Sequence, residues 1–184
     1  VAVANSLAAI AAGARQVQGT NNGIGERCGN ADLISLIPTL VLKSDYVTSV
    51  AEANLPKLMG LSRLLDERLG RTPNAQAPYV GASAFAHKGG LHASAAQKDP
   101  RTYEHVPPEK IGNERQYLIS DQAGRSNMLA RFTTLGIEID PKDERLETLI
   151  SVVKEKEFEG WSFDSAEASF ELLARQMLGE VPEY

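Results

Sequence analysis

Residues 20–30 read Thr-Asn-Asn-Gly-Ile-Gly-Glu-Arg-Cys-Gly-Asn, and this stretch decides the fold assignment. Its three glycines allow positive φ angles and let a ligand approach the backbone closely. Residues 15–19, just before it, alternate polar and apolar around Val17, which indicates a short strand. Residues 33–41, just after it, carry apolar side chains at helical spacing. The order strand, glycine loop, helix predicts an α/β unit with its loop at the carboxyl end of the strand.

The glycine loop also carries side chains that bind ligands. Its spacing differs from the dinucleotide-binding pattern, because the third glycine comes one residue late and no acidic residue follows a second strand. A purely structural turn is therefore an equal alternative. Glu26, Arg27 and Asn30 favour a ligand site, since their side chains can bind a metal ion, a carboxylate or an enolate oxygen.

The rest of the chain is predicted to be mostly helical. Leu7, Ile10 and Ala14 continue an apolar stripe from Val3, and Gly13 suits the C′ position of that first helix. Ser49 and Glu52 form a possible capping box. A helix is predicted at 55–69, with Pro56 in its first turn and Gly70 closing it. The further predicted elements are a linker at 71–82, a strand at 116–120, and helices at 124–135, 144–158 and 164–178, the last capped by Asp164 or Ser165.

The first residue bears on completeness. Val1 runs directly into the apolar stripe of the first helix, with no Ser, Thr, Asp or Asn ahead of it to cap the helix. A trimmed disordered tail would give the same start. We expect instead that the chain is a piece of a longer protein.

Composition excludes several classes of protein. The 184 residues hold 19 Lys and Arg against 24 Asp and Glu, a net charge of −5, which disfavours nucleic-acid binding. The single cysteine, Cys28, excludes an internal disulfide and a zinc site built from cysteines. No apolar run approaches the length that spans a membrane, and no signal-peptide pattern is visible. The sequence therefore favours a cytoplasmic protein of average globular composition.

The three histidines are the other candidates for chemistry. His87, His92 and His105 lie close together in the sequence, and for any one of them an ordinary surface position is the simplest interpretation. His92 follows two glycines and precedes Ala93 and Ser94, so another surface could approach it closely, and Tyr103 follows in a predicted extended stretch. A histidine and a tyrosine together can move a proton or stabilise an oxyanion. Asp121 and Arg125 could bind an anion at a helix start, but a capped helix with a solvated arginine is the favoured alternative.

The motifs resemble a known family of enzymes. Residues 2–6, 18–20 and 23–30 resemble the closing part of the catalytic barrel of the 2-isopropylmalate, homocitrate and citramalate synthases. Residues 84–92, 102–104 and 108–112 resemble the linker region of the same enzymes. The segments at 121–127 and 159–173, with Ala93-Ser94 in place of Gln-Asp, are most similar to the (R)-citramalate synthase branch.

The resemblance implies a metal-dependent Claisen condensation. Such enzymes use a divalent ion (Mg, Mn or Zn) as a Lewis acid, join acetyl-CoA to a 2-oxoacid such as pyruvate, and hydrolyse the thioester, in branched-chain amino-acid (isoleucine) biosynthesis. By the family pattern, Asn30 lies at or beside the metal. His92 and Tyr103 correspond to linker residues that reach the partner subunit's active site, and Gly25, Glu26, Arg27 and Gly29 shape the loop at the barrel mouth.

The resemblance also implies that parts of the enzyme are absent. The family's Arg-Asp and His-x-His-Asn-Asp motifs, which supply most metal ligands, are not in this sequence. We therefore expect an α/β fragment, mostly helical, that is catalytically inactive by itself and binds no metal. It would comprise the C-terminal portion of a (β/α)8 TIM barrel at residues 1–70, linker subdomain I at 71–120 and helical linker subdomain II at 121–184.

Two alternatives stay open. One keeps the family but makes the substrate 2-oxoisovalerate, so that the enzyme is a 2-isopropylmalate synthase of leucine biosynthesis. The other is a non-catalytic interaction module. If the fragment interpretation holds, His92 and Tyr103 should be exposed, and the apolar faces of the first helices should associate into a homodimer, with exchanged segments as one form of it.

Overall fold

The computed structural model describes residues 1–164 and 166–181, which divide into two compact units. The first unit comprises Val1–Phe85 and His105–Arg115, and the second comprises Ala86–Glu104 and the described residues from Gln116 onward. The predicted division into 1–70, 71–120 and 121–184 stays a prediction. None of the helices in the described residues is long and apolar enough to cross a membrane.

The first unit is built from three α-helices. Helix α1 (Ala2–Ala11) has no side-chain cap and no buried residue, and Gly13 follows it with a φ of +112°, as predicted. Helix α2 spans Leu33–Lys43 and helix α3 spans Lys57–Arg68. Pro56 is the N-cap of α3 and does not lie in its first turn as predicted, whereas Gly70 follows the helix with a φ of +60°, as predicted.

The predicted strand at residues 15–19 is wrong. A strand exists only where a neighbouring segment pairs with its backbone, and in the described chain no segment forms a ladder with these residues. The pairing that forms nearby is one isolated parallel bridge between Thr20 and Asp32. The capping box predicted at Ser49 and Glu52 is also wrong, because a short 3₁₀ turn at Glu52–Asn54 begins after Ala51.

Helix α2 confirms the predicted helical spacing, but its apolar face is partly covered and not left exposed as predicted. Asp32 caps the helix, since its Oδ1 accepts from the backbone N–H of Ile34 at 2.9 Å and its Oδ2 accepts from Ser35 Oγ at 2.6 Å. Ile34 and Leu36 are buried, whereas the rest of the predicted stripe is half-buried. The core of this unit consists of Ile34, Leu55, Leu58, Tyr79, Val80, Phe85, Val106 and Ile111.

The second unit places a small sheet beside a helical core. Strand β1 (Ala86–His87) pairs in parallel with strand β2 (Gln116–Tyr117), which confirms the first two residues of the predicted strand at 116–120. Helix α4 spans Gly90–Lys98, α5 spans Arg125–Leu135, α6 spans Arg145–Phe158 and α7 spans Glu167–Leu178. Helices α5, α6 and α7 agree with the prediction, whereas α4 was not predicted.

The helical core follows the predicted apolar faces. The predicted face of α6 is buried, as is Phe170 of α7. Ala166 precedes α7, so Asp164 is not its cap, and the alternative cap Ser165 lies outside the described residues. The core consists of Ile119, Ala123, Met128, Phe132, Ile137, Leu146, Leu149, Ile150, Val153, Phe163, Phe170 and Ala174.

Candidate functional site

The glycine loop of the first unit turns back on itself. The backbone N–H of Thr20 donates to Ala31 O at 2.9 Å, and the N–H of Leu33 donates to Thr20 O at 3.0 Å, so the two ends of the loop are held together. Gly23 and Gly29 have φ angles of +63° and +113°, a region that glycine enters without steric cost. The loop therefore leads directly into the capped start of α2.

The loop side chains point to different partners. Glu26 and Arg27 form an exposed ion pair of 3.1 Å with each other. Asn30 Nδ2 donates to Ile24 O at 3.3 Å, and Cys28 is exposed. The structure thus brings Glu26 and Arg27 together and turns Asn30 back toward the loop backbone.

A clamp that sequence reasoning missed fixes the loop to α3. Asn22 adopts a left-handed conformation with a φ of 56°, and its Oδ1 accepts a hydrogen bond from Ser62 Oγ at 2.7 Å. Its Nδ2 donates to Ser62 O at 3.1 Å and to Asp66 Oδ1 at 3.2 Å. Asparagine adopts such a conformation more often than most other non-glycine residues. No sequence signal linked Asn22 to Ser62 and Asp66, which are far along the chain.

The side chains of the glycine loop do not form a complete metal site. A zinc site needs at least three protein ligands converging on one point, and a magnesium site needs at least one or two carboxylates. Within residues 1–164 and 166–181, no group of three or more His, Cys, Asp or Glu side chains is arranged to hold one. Asn30 offers one carboxamide, which by itself does not fit a divalent ion.

The predicted pair of His92 and Tyr103 does come together in the second unit. Their ring centroids lie 4.4 Å apart with 36° between the ring planes. His92 lies in the first turn of α4, which begins after Gly89, and it is exposed, while Tyr103 is 45% exposed. Both side chains are therefore accessible and not part of the core, as the fragment interpretation predicts.

The prediction that Tyr103 lies in an extended stretch is wrong. It ends a 3₁₀ turn at Pro100–Thr102 that Asp99 caps, and its N–H donates to Pro100 O at 3.1 Å. Asp99 Oδ1 accepts from the N–H of Arg101 at 3.1 Å, and the adjacent guanidinium lowers the pKa of the Asp99 carboxyl. Proline at the first position of the turn favours this conformation over an extended one.

His87 corrects the expectation of a surface histidine. Its side chain is 7% exposed, and its Nε2 lies 3.0 Å from Oε1 of Glu104, whose side chain is 3% exposed. The His87 ring also lies 6.3 Å from the ring of Tyr103 and 5.8 Å from the ring of Tyr117. The pair is thus a buried hydrogen bond, directly beneath the exposed tyrosine.

The third histidine, His105, belongs to the first unit. Its ring packs edge-on against Tyr79, with centroids 5.3 Å apart, and more loosely against Phe85 at 6.2 Å. Desolvation by these neighbours lowers the pKa of His105, and the positive charge of Lys43 lowers it further.

The segment at 121–127 does not form the alternative anion site. Gly124, not Asp121, precedes α5. Arg125 Nη2 donates to Glu147 Oε1 at 2.6 Å and its Nη1 donates to Pro141 O at 2.5 Å, so its guanidinium already has acceptors. Arg125 is therefore a structural residue.

Comparison with known proteins gives the family. Residues 1–65 match the HMGL-like family, and residues 79–159 match the family described as homocitrate synthase post-HMGL domain-like. The (R)-citramalate synthase of Aquifex aeolicus is 52% identical over 100% of this chain and 34% of its own length. The (R)-citramalate synthase of Synechocystis is 51% identical over 97% of this chain and 32% of its own length.

A relative with another name also matches the whole chain. The probable 2-isopropylmalate synthase of Methanopyrus kandleri is 39% identical over 100% of this chain and 35% of its own length. The chain thus spans about a third of the length of the curated relatives it matches. With both family segments present in this order, the chain belongs to the homocitrate, citramalate and 2-isopropylmalate synthase family.

Proposed function

We propose that this chain is part of an acyltransferase that joins acetyl-CoA to a 2-oxoacid, with pyruvate as substrate and citramalate as product. The observation that carries the proposal is the exposed pair of His92 and Tyr103, whose rings lie 4.4 Å apart at the position the family resemblance assigns to catalysis. The identity of 51–52% to (R)-citramalate synthases, against 39% to a probable 2-isopropylmalate synthase, supports the choice of pyruvate.

The reaction needs proton transfers that such a pair can perform. The methyl carbon of acetyl-CoA loses a proton and forms a bond to the keto carbon, whose oxygen gains a proton. Water then cleaves the thioester and releases a carboxylate and the CoA thiol. The His92 imidazole suits the transfer of protons near neutral pH, and the Tyr103 hydroxyl suits donation to the oxyanion that forms during hydrolysis.

We propose a division of labour between this chain and other sequence. Residues 1–70 would form the closing part of a (β/α)8 barrel whose mouth is shaped by Gly25, Glu26, Arg27 and Gly29. Because Asn30 alone does not fit a divalent ion, the remaining ligands would come from outside this chain, and the chain by itself would be inactive. In the intact enzyme we propose a cytoplasmic homodimer, in which His92 and Tyr103 serve the partner's active site.

The experiment uses the full protein that carries this chain and measures the rate at which it releases the CoA thiol. The assay contains acetyl-CoA, Mg²⁺ or Mn²⁺, and either pyruvate or 2-oxoisovalerate. We expect faster release with pyruvate, and a loss in kcat of roughly 10²- to 10⁴-fold for His92→Gln and for Tyr103→Phe. His105→Gln is the matched control, since His105 lies in the other unit, and it should keep nearly full activity.

Four results would contradict parts of the proposal. Full activity of the His92→Gln variant would contradict a catalytic role of His92. A preference for 2-oxoisovalerate over pyruvate would favour the 2-isopropylmalate synthase alternative. Turnover by the 184-residue chain alone, at the rate of an intact synthase, removes the division of labour. If light scattering shows that the intact enzyme is a monodisperse monomer, the proposed homodimer is wrong.

A further inference from the structure

The buried pair of His87 and Glu104 has a place in the structure that the proposed reaction does not use. Both side chains are almost inaccessible, at 7% and 3% exposed, so neither can contact a substrate. A buried hydrogen bond of this kind is costly to break, because the remaining partner stays desolvated. Its position beneath Tyr103 suggests what it does.

One end of the pair is held rigidly. His87 lies in strand β1, and its carbonyl accepts from the N–H of Leu118 at 3.1 Å. Asn127, which is fully buried, donates from Nδ2 to Lys88 O at 3.2 Å and to Leu118 O at 3.3 Å. The backbone next to His87 is therefore tied both to the neighbouring strand segment and to helix α5.

The other end of the pair is continuous with the site. Glu104 follows Tyr103 directly, and the backbone N–H of each donates to Pro100 O, at 2.9 Å and 3.1 Å respectively. The Glu104 side chain points inward to His87, whereas the ring of the preceding residue, Tyr103, lies on the outer side against His92. The His87 ring then lies against the Tyr103 ring with an angle of 76° between the planes.

We infer that His87 and Glu104 are positioning residues that fix the Tyr103 ring against His92. The rigid strand holds His87, the hydrogen bond of 3.0 Å holds Glu104, and the shared backbone holds Tyr103. The catalytic consequence of this arrangement rests on the proposed function. The geometric consequence does not, because it concerns only the position of one ring relative to another.

The geometric part is tested by NMR on the 184-residue chain. The chain has three histidines, so the imidazole C–H resonances can be assigned by single substitutions. The Tyr103 ring current should shift the resonances of His92, and Tyr103→Leu gives the unshifted value. We expect Glu104→Leu to lose more than half of this shift. Glu104→Gln keeps an acceptor oxygen and should keep most of the shift.

Two further variants keep the test decisive. Glu147→Leu is the matched control, because it removes a glutamate from an exposed ion pair with Arg125 in the same unit, and it should leave the His92 shift unchanged. Glu104→Leu leaves the buried His87 without its acceptor and could unfold the unit. The double variant His87→Phe/Glu104→Leu replaces both partners by apolar side chains, a change that buried pairs tolerate well. It should fold, by circular dichroism, and still lose the shift.

The inference is overturned if folded Glu104→Leu or the folded double variant keeps the full His92 shift, or if Glu104→Gln loses as much as Glu104→Leu. In the protein that carries this chain, the double variant should lower kcat by roughly ten- to a hundredfold with little change in KM for the 2-oxoacid. A loss of the shift without any synthase activity in the unmodified protein contradicts the proposed function alone. The ring geometry therefore distinguishes the two failures.

Discussion

Gly25 lies so close to the Asn30 side chain that a β carbon at position 25 would stand 1.9 Å from Asn30 Nδ2. The glycine is thus required for space, because any side chain would push Asn30 away from its hydrogen bond to Ile24 O. Gly29 in the same loop is required for another reason. It has open space around it but a φ of +113°, which side chains disfavour.

We therefore expect Gly25→Ala to displace Asn30 and to destabilise the first unit. The collision is with a side-chain atom, so part of it can relax, and a cost of about 1–3 kcal/mol in the free energy of unfolding is the expected range. Urea unfolding followed by circular dichroism measures it. Gly60→Ala is the matched control, since Gly60 lies inside α3 with nothing within 4 Å of the added β carbon. It should stabilise the chain by about 0.4–1 kcal/mol, and equal effects of the two substitutions would contradict the steric argument.

The Asn22 clamp leads to a second prediction. Ser62→Ala removes the donor to Asn22 Oδ1, and Ser62 is only 6% exposed, so the amide oxygen loses its partner in a place that water reaches poorly. We expect a loss of about 1–2 kcal/mol in the free energy of unfolding, together with faster amide hydrogen exchange in the glycine loop.

The control for this prediction is another serine on a helix. Ser151→Ala removes a hydroxyl that donates to Glu147 O at 2.9 Å on the exposed side of α6. It should change stability by less than about 0.5 kcal/mol and leave exchange in the loop unchanged. Equal exchange rates in the loop of the Ser62→Ala and Ser151→Ala variants would mean that the clamp does not hold the loop.

Helical periodicity carried most of the fold prediction that succeeded. Helix α6 shows why, because Leu146, Leu149, Ile150 and Val153 recur at helical spacing and all four are buried in one core. The local end signals at Gly13 and Gly70 were also sufficient, since each glycine has a positive φ and lies just after the C-cap of the helix that it ends. The structure places the rings of His92 and Tyr103 side by side, 4.4 Å apart, and their catalytic role stays a prediction.

The failures share the need for a distant partner. Residues 15–19 have a strand-like pattern, but no ladder forms without a neighbour in the described chain. His87 reads as an ordinary polar residue, because its partner Glu104 lies 17 positions away and no periodicity connects them. Helix α4 begins at Gly90, directly after a second glycine, Gly89, and its apolar pattern is weak, so local propensity argued against it.

A third prediction concerns pH. Folding lowers the pKa of His105 from its ordinary value of 6.5, chiefly through desolvation against Tyr79 and Phe85, so the unfolded chain binds a proton more readily than the folded one. The contribution of His105 to stability is therefore complete above pH 6.5 and declines as the pH falls through the folded pKa. We expect His105→Phe, which keeps a ring against Tyr79, to lose less stability between pH 8 and pH 5 than the unmodified chain.

Thermal unfolding across this pH range measures the difference. His92→Gln is the control, because it removes a histidine that is exposed and lies outside the first unit. The pH profile of that variant should follow the unmodified chain. Parallel profiles of His105→Phe and the unmodified chain would show that the aromatic pocket does not disfavour the charged imidazole.

The last prediction concerns acid. Arg145 lowers the pKa of Asp143 from 3.8 to about 2, through a side-chain hydrogen bond first and a backbone hydrogen bond second. Asp143 Oδ1 accepts from the N–H of Arg145 at 2.8 Å at the start of α6, and Oδ2 accepts from its guanidinium at 2.6 Å. A lowered carboxyl pKa stabilises the fold above pH 3.8, and this contribution is lost as the pH falls toward 2.

Asp143→Asn keeps an acceptor for the helix start but cannot titrate. The stability difference between it and the unmodified chain should therefore shrink between pH 5 and pH 2. Asp140→Asn in the same loop, where Oδ1 accepts from the N–H of Lys142 at 2.8 Å, is the control and should show a smaller change. A constant difference between Asp143→Asn and the unmodified chain across this range would mean that Arg145 does not hold the carboxylate in its charged form.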